Sequence, residues 1–260
     1  MAPQGAMPFL VQTLMKMSKP NHFRFQRFSI HDDQCGMKIG TDGVLLGAWA
    51  NVEGCQRILD IGTGCGLIAL MIAQRTEATQ ALIDAIDCEE NAVLQADGNF
   101  AISPWAHRLS AKHQTLGELA LQSDIGQYDL CVCNPPFFSD SSPSHDLRKR
   151  IARHCSQLTR EHLVESAALL LKSTGRLCVV IPFDQLDFTC DSATEYGLHL
   201  RRQTCIRPFS GKPFKRVLLE FALRPAELLR DEFSVRKSES VFSKEYEALT
   251  HRFHLRFANR

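Results

Sequence analysis

Residues 129–140, DLCVCNPPFFSD, set an amide, two prolines and two aromatic rings directly after a short apolar run. Asn134 and Pro135 each offer an acceptor, a side-chain carbonyl oxygen and a backbone carbonyl. Pro135 and Pro136 lock φ, so those acceptors need little reordering before use. Phe137 adds an aromatic face on which a flat molecule can stack. A planar amine, on a heteroaromatic base or a carboxamide, is a poor nucleophile because its lone pair is delocalised. Two acceptors taking its N–H hydrogens would hold the nitrogen in place and favour the charge that develops as it attacks. Asn134, Pro135, Pro136 and Phe137 together therefore suit methyl transfer to a planar nitrogen. A double proline also ends strands, but that plainer function leaves the amide ahead of it unexplained.

A second constellation lies upstream in DIGTGCG, Asp60 to Gly66. Gly62, Gly64 and Gly66 allow the backbone to turn tightly and approach a ligand closely, and Asp60 brings a carboxylate to a strand end. Asp87 follows about 20 residues after the last glycine, the distance at which a carboxylate can accept both hydroxyls of an adenosine ribose. Each feature has a plainer explanation, a glycine-rich turn and an acid favoured by a helix N-terminus. Together they point to a bound nucleoside. Gly64-x-Gly66-x-x-Ala69 also fits the looser dinucleotide fingerprint, so the glycines alone leave NAD open. The Asn-Pro-Pro-Phe stretch separates the two, because NAD chemistry has no need of it.

Alternating elements must carry these groups. RILDI (57–61) reads as a buried strand and LIALMIAQR (67–75) as a helix. A strand follows at 81–86, a helix at 89–101, a strand at 109–113, a short helix at 116–122 and a strand at 128–133. TREHLVESAALLLKSTG is an amphipathic helix with Thr159 as N-cap, Glu161 in its first turn and Gly175 as its stop. RLCVVIP is a buried strand, followed by a helix near 184–196 and strands at 198–206 and 215–223. The pattern predicts an α/β, Rossmann-like doubly wound sheet of about seven mostly parallel strands, ending in an antiparallel edge hairpin. In such sheets ligands bind at the carboxyl ends of the strands.

The 260 residues carry 30 basic and 29 acidic side chains and are 44% hydrophobic, enough for one sizeable core. Residues 23–260 read as one domain, and residues 1–22 as a flexible extension without a secretory signal. The overall charge selects no partner. Ten cysteines form no C-x-x-C pair, which argues against a zinc cluster or a disulfide framework and favours a reducing cytoplasm. No apolar run reaches the ~20 residues a bilayer span needs.

The combination resembles the class I S-adenosylmethionine-dependent methyltransferases that act on amino groups. More narrowly it resembles the bacterial tRNA1(Val) adenine-N6 methyltransferases. The narrower resemblance rests on FRFQRFSIHDDQCGMKIGTDGVLLGAWA (23–50), ILDIGTGCGLIALMIAQRT (58–76), IDAIDCEENA (83–92), SPWAHR (103–108), YDLCVCNPPFF (128–138), ARH (152–154), GKPFKRVLLEF (211–221) and YEALTHRFHL (246–255). It implies N6-methylation of the adenosine 3′ to the anticodon, adenine 37, with S-adenosylmethionine as the cofactor and tRNA as the partner. By motif, Asp60, Gly62, Gly64 and Gly66 line the methionine portion of the donor and Asp87 holds its ribose. Lys38, Gly40, Thr41 and Asp42 cover the cofactor, and Asn134, Pro135, Pro136 and Phe137 form the target-amine site. Two positions depart from the family. Thr115 stands where an acid usually meets the cofactor adenine, and Phe137 replaces the more usual Tyr.

An RNA substrate needs cationic surface, because phosphates dominate its affinity. Three clusters offer it: Lys19, His22, Arg24 and Arg27 among Phe23, Phe25 and Phe28; Arg148, Lys149, Arg150 and Arg153; and Arg207, Lys212, Lys215 and Arg216. Any single run is more often plain solvated surface. Other activities compatible with the same residues are N5-methylation of a protein glutamine, DNA adenine methylation, and a catalytically silent RNA-binding protein of the same fold. DNA methylation is disfavoured because no segment is large enough for a target-recognition domain.

Overall fold

In a computed structural model of the chain, residues 22–135 and 158–258 are described. Short runs of branched apolar residues form the central strands and longer apolar-patterned segments form the helices over them. In chain order the first half comprises β1 (His22–Arg24), β2 (Ser29–His31), α1 (Thr41–Trp49), β3 (Arg57–Ile61), α2 (Leu67–Arg75), β4 (Leu82–Asp87), α3 (Glu90–Ala101), β5 (Leu109–His113), α4 (Leu116–Gln122) and β6 (Tyr128–Cys133). The second half comprises α5 (Arg160–Leu170), β7 (Leu171–Pro182), α6 (Leu186–Glu195), β8 (His199–Phe209), β9 (Arg216–Ala222), β10 (Leu229–Ser238), β11 (Val241–Phe242) and α7 (Lys244–Thr250).

Among the described residues the main sheet has nine strands in the order β11-β10-β8-β9-β7-β6-β3-β4-β5. From β7 through β6, β3 and β4 to β5 all pairings are parallel. The order reverses at β3, whose neighbours are β4 on one side and β6 on the other. β1 and β2 form a separate antiparallel hairpin. Strands buried on both faces support two cores. On one side Leu130 and Val132 of β6 join α1, α2 and α3; on the other, Cys131 and Cys133 face α4 and α5. Strand alternation divides them.

The mostly parallel sheet with an antiparallel hairpin agrees with expectation, with three differences of detail. β9 runs antiparallel between β7 and β8, so this pair lies inside the sheet. The antiparallel hairpin at the edge is β10–β11, beyond β8. Its strand LRDEFSVRKS is charged and mostly exposed, which hides it from a hydrophobic pattern. Thr159 caps α5 as expected, accepting from the His162 N–H at 3.2 Å. Gly175, however, does not stop that helix, which ends at Leu170. The β6–β7 register slips from Tyr128 opposite Leu171 to Leu130 opposite Arg176, leaving a bulge. A Cβ at Gly175 would lie 2.8 Å from the Tyr128 carbonyl oxygen, so the bulge needs glycine for close backbone approach.

α1 was not evident from the sequence. TDGVLLGAW is apolar nearly all round, so it lacks a helical stripe. Its two glycines make room for α2: a Cβ at Gly47 would sit 2.9 Å from Met71 Sδ, and one at Gly43 would sit 3.1 Å from Leu67 Cδ2.

Candidate active site

Register alone brings the sequence-marked groups together. Ile61 is opposite Ile86 in β4 and opposite Cys133 in β6. The next residues, Gly62, Asp87 and Asn134, therefore form a level row at the carboxyl ends of three adjacent strands. At about 4.8 Å between strands, Asp87 and Asn134 flank the glycine loop roughly 10 Å apart. Thr115 lies two residues past His113, which pairs with Asp87, and so extends the row by one strand.

The loop is held by its own backbone. Gly62 and Thr63 N–H groups donate to the Ile86 carbonyl at 2.9 and 3.0 Å, and Gly66 N–H donates to Thr63 O at 2.9 Å. Gly66 has φ 85° directly over the buried Phe100 ring. A Cβ at Gly62 or Gly64 would meet no described protein atom within 4 Å, so the loop presents an open cradle.

Asp60 is fully buried beneath this cradle. Its Oδ2 accepts from the Thr63 hydroxyl at 2.7 Å and the Ala69 N–H at 3.2 Å. Its Oδ1 finds no hydrogen-bond partner among the described residues. Burial pushes the carboxyl up to about 7, against the two hydrogen bonds that favour its charged form. Asp87 accepts from Gly64 N–H at 2.9 Å and Glu89 N–H at 3.0 Å. It thus clamps the glycine loop to the start of α3.

Residues 32–39 arch over the loop. The buried Asp32 organises them, its Oδ2 accepting from Ile39 N–H at 2.9 Å and its carbonyl from the Lys38 ammonium. Asn99 donates to both His31 O and Cys65 O at 2.8 Å, tying this segment to the loop. Gly40 caps α1, and Thr41 is exposed at its first residue. Asp42 in the same turn accepts from Arg216 Nε at 2.7 Å. Asp42 and Arg216, assigned by motif to the cofactor and by charge to RNA, are thus ion-paired to each other.

Asn134 follows β6 with a half-buried side chain at the site, its Nδ2 3.8 Å from Met37 Sδ. Pro135 is buried beside it. Pro136, Phe137, Arg148, Lys149 and Arg153 lie outside the described residues, as do Lys19 and Arg150. The Thr115 hydroxyl is taken up in a capping box with Glu118, donating to Oε2 at 2.8 Å and accepting the Glu118 N–H at 3.2 Å. Lys212 and Lys215 are exposed in the β8–β9 loop, at the same sheet edge as Asn134. Of the N-terminal cluster, Phe25 and Phe28 stack at 4.6 Å in the core and Arg27 pairs with Glu77. His22, Phe23 and Arg24 remain exposed.

Sequence reasoning missed Asp32, Thr63, Asn99 and Met37. Thr63 carried a signal, standing three residues after Asp60 in a tight turn where a hydroxyl can reach back. Asn99 and Met37 carried none, because their partners are distant in the chain. Asp32 closes on Lys38 and Ile39 only a few residues on, but in an irregular segment with no periodic pattern to mark it.

This fold and this row of groups define a methyltransferase. Residues 39–186 match the family model described as the methyltransferase small domain. Among solved structures, a "predicted O-methyltransferase" of Agrobacterium tumefaciens shares the fold with TM-score 0.62 at 17% identity, over 82% of this chain and 96% of that one. TYW2 of Pyrococcus horikoshii, solved in complex with MeSAdo, aligns with TM-score 0.53 at 13% identity, over 77% of this chain and 69% of that one. Curated relatives are much nearer. A tRNA1(Val) (adenine(37)-N6)-methyltransferase of Phocaeicola vulgatus is 44% identical, over 91% of this chain and 99% of its own. One of Erwinia tasmaniensis is 41% identical, over 91% of this chain and 96% of its own. The chain belongs to the tRNA1(Val) (adenine(37)-N6)-methyltransferase family.

The methyl donor of such an enzyme is S-adenosylmethionine, and the residues present fit it. The open cradle at Gly62 and Gly64 admits a close ligand, and the buried Asp60 Oδ1 has unused acceptor capacity beneath it.

Proposed function

We propose that this chain methylates N6 of adenine 37 in tRNA1(Val), with the residues of the carboxyl-edge row in distinct roles. The observation that carries the proposal is that row itself, which sets Asn134 beside the glycine loop on the neighbouring strand. When bound, S-adenosylmethionine supplies an electrophilic methyl group. Asp60, Gly62, Gly64 and Gly66 hold its methionine portion and Asp87 its ribose. Thr115 and its backbone neighbours border its adenine, and the segment with Lys38, Gly40, Thr41 and Asp42 covers it.

Asn134 Oδ1 and the Pro135 carbonyl accept the two N6 hydrogens of the target adenine. They orient its lone pair and stabilise the positive charge that grows on nitrogen during attack. Pro136 stiffens this corner, and Phe137 stacks on the base. The adenine must leave its stack to reach the pocket, which is cheapest in a single-stranded anticodon loop. Lys212 and Lys215, with Arg148, Lys149 and Arg153, bind the flanking phosphates of the tRNA partner. Arg216, grouped with them by charge in the sequence, acts on the donor side instead, steadying the cofactor-covering segment through its pairing to Asp42. The enzyme works in the cytoplasm as one domain spanning residues 23–260, needing no protein partner.

Incubation with radiolabelled S-adenosylmethionine and, in parallel, unmodified tRNA1(Val) transcript, DNA or release factors, followed by nucleoside or peptide analysis, tests the assignment. Label is expected in N6-methyladenosine at position 37. Label appearing instead in DNA or in a release-factor glutamine, or nowhere, would overturn it. Asn134→Ala is expected to abolish turnover while the donor Kd stays nearly unchanged.

A further inference from the structure

An asparagine that must accept from an amine faces a problem of orientation. Its amide can rotate by 180° about the last side-chain bond with little change in shape. In one orientation Oδ1 faces the amine and accepts; in the other the NH2 group faces it, donor against donor. Half the site's electrostatic purpose is lost if the amide spends time reversed. The fold must supply something that tells the two ends apart.

We propose that Met37 is this positioning residue: its thioether sulfur holds Asn134 Nδ2 and thereby keeps Asn134 Oδ1 turned toward the substrate amine. The sulfur lies 3.8 Å from Nδ2, within reach of a sulfur-acceptor hydrogen bond. A thioether has no hydrogen to donate, so it can favour the NH2 end and never the oxygen. The selection is chemical as well as geometric.

The backbone that carries the sulfur is anchored. Met37 lies in the 32–39 segment, anchored on both sides of it. On one side Gln34 N–H donates to Gln95 Oε1 at 2.9 Å; on the other the Lys38 ammonium and Ile39 N–H close back on Asp32. Yet Met37 itself is 51% exposed, so it adds little to the core. A large apolar side chain held out by a well-anchored segment, with its sulfur on the amide of the target-amine site, is placed for that amide. The inference rests on the assignment of Asn134 as acceptor, and its test keeps the two apart.

Steady-state kinetics with tRNA1(Val) transcript and S-adenosylmethionine would be measured for the wild type, Met37→Leu, Met37→Gln and Asn134→Ala. Leucine keeps bulk and apolar surface but removes the acceptor. Glutamine removes apolar surface but returns an acceptor oxygen, together with an NH2 group that can take the Asn134 oxygen in the reversed orientation. Met37→Leu is expected to lower kcat by roughly three-fold, the scale of one weak sulfur hydrogen bond. KM for tRNA, the donor Kd and the Tm should not move, and Met37→Gln should recover part, not all, of the lost kcat. Wild-type kcat in Met37→Leu overturns the proposal. So does an equal loss in both Met37 variants, which would make the side chain an apolar platform for the base. Normal turnover in Asn134→Ala would instead remove the acceptor assignment beneath it.

Discussion

Gly66→Ala and Gly64→Ala change the same motif by the same methyl group and should fail in different ways. Both positions have positive φ, 85° and 55°. A left-handed backbone costs an L-residue about 1–2 kcal/mol, and both variants bear that. Only at Gly66 does the new Cβ collide: it would lie 2.5 Å from Phe100 Cε1 and 3.0 Å from Cζ. Phe100 is 2% exposed and cannot swing clear, so overpacking adds about 1–3 kcal/mol. Gly66→Ala should therefore lose about 2–5 kcal/mol of stability, and Gly64→Ala only about 1–2. For a chain of this size 1 kcal/mol moves the Tm by about 2–4 °C. Gly66→Ala is thus expected to melt some 4–20 °C low, and Gly64→Ala about 2–8 °C low. Gly64→Ala would instead show its main defect in calorimetric titration with S-adenosylmethionine, because its methyl group points into the cradle. Thermal melts without donor, followed by that titration, separate the two. Equal Tm values for the two variants would refute the close packing of Gly66 on Phe100.

Three further outcomes follow from the site. Asp87→Ala should weaken donor affinity and loosen the loop, since it removes the acceptor for Gly64 and Glu89 N–H groups as well as the ribose contact; an unchanged donor Kd would count against it. Asp60 titrates near 7 in the fold against an ordinary 3.8, so the folded state binds the extra proton between those values. Its contribution to stability is complete below the lower value and drains away as pH rises through the upper one. Urea unfolding of the donor-free protein at pH 5 and pH 8 should show a larger loss in the wild type than in Asp60→Asn, and parallel losses would contradict this. Lys212→Ala with Lys215→Ala should flatten the salt dependence of tRNA binding by about 1.4 in log–log slope. Arg216→Ala, whose guanidinium is engaged by Asp42, should change that slope less than either lysine and raise the donor Kd instead. The reverse pattern would place Arg216 on the phosphates.

Several parts of this protein are decided within short stretches of chain. RILDI, LIALMIAQR and YDLCVC declare their elements because apolar runs and helical spacing are local properties, and β3, α2 and β6 form where expected. The glycine loop, Asp87 and Asn134 are legible for the same reason: each stands at the end of such a strand. Other features depend on positions that meet only after nine strands have taken their order. Asp42 reaches Arg216 across 174 residues, and Met37 reaches Asn134 across 97. Gly66 owes its constraint to Phe100, and Gly47 to Met71. The charged strand β10 is a strand because β8 offers it an edge. Local sequence can specify the conformation of a segment, since propensity and periodicity act over a few residues. Which side chain faces which across the site is set by sheet register and helix packing, and these minimise the free energy of the whole chain together.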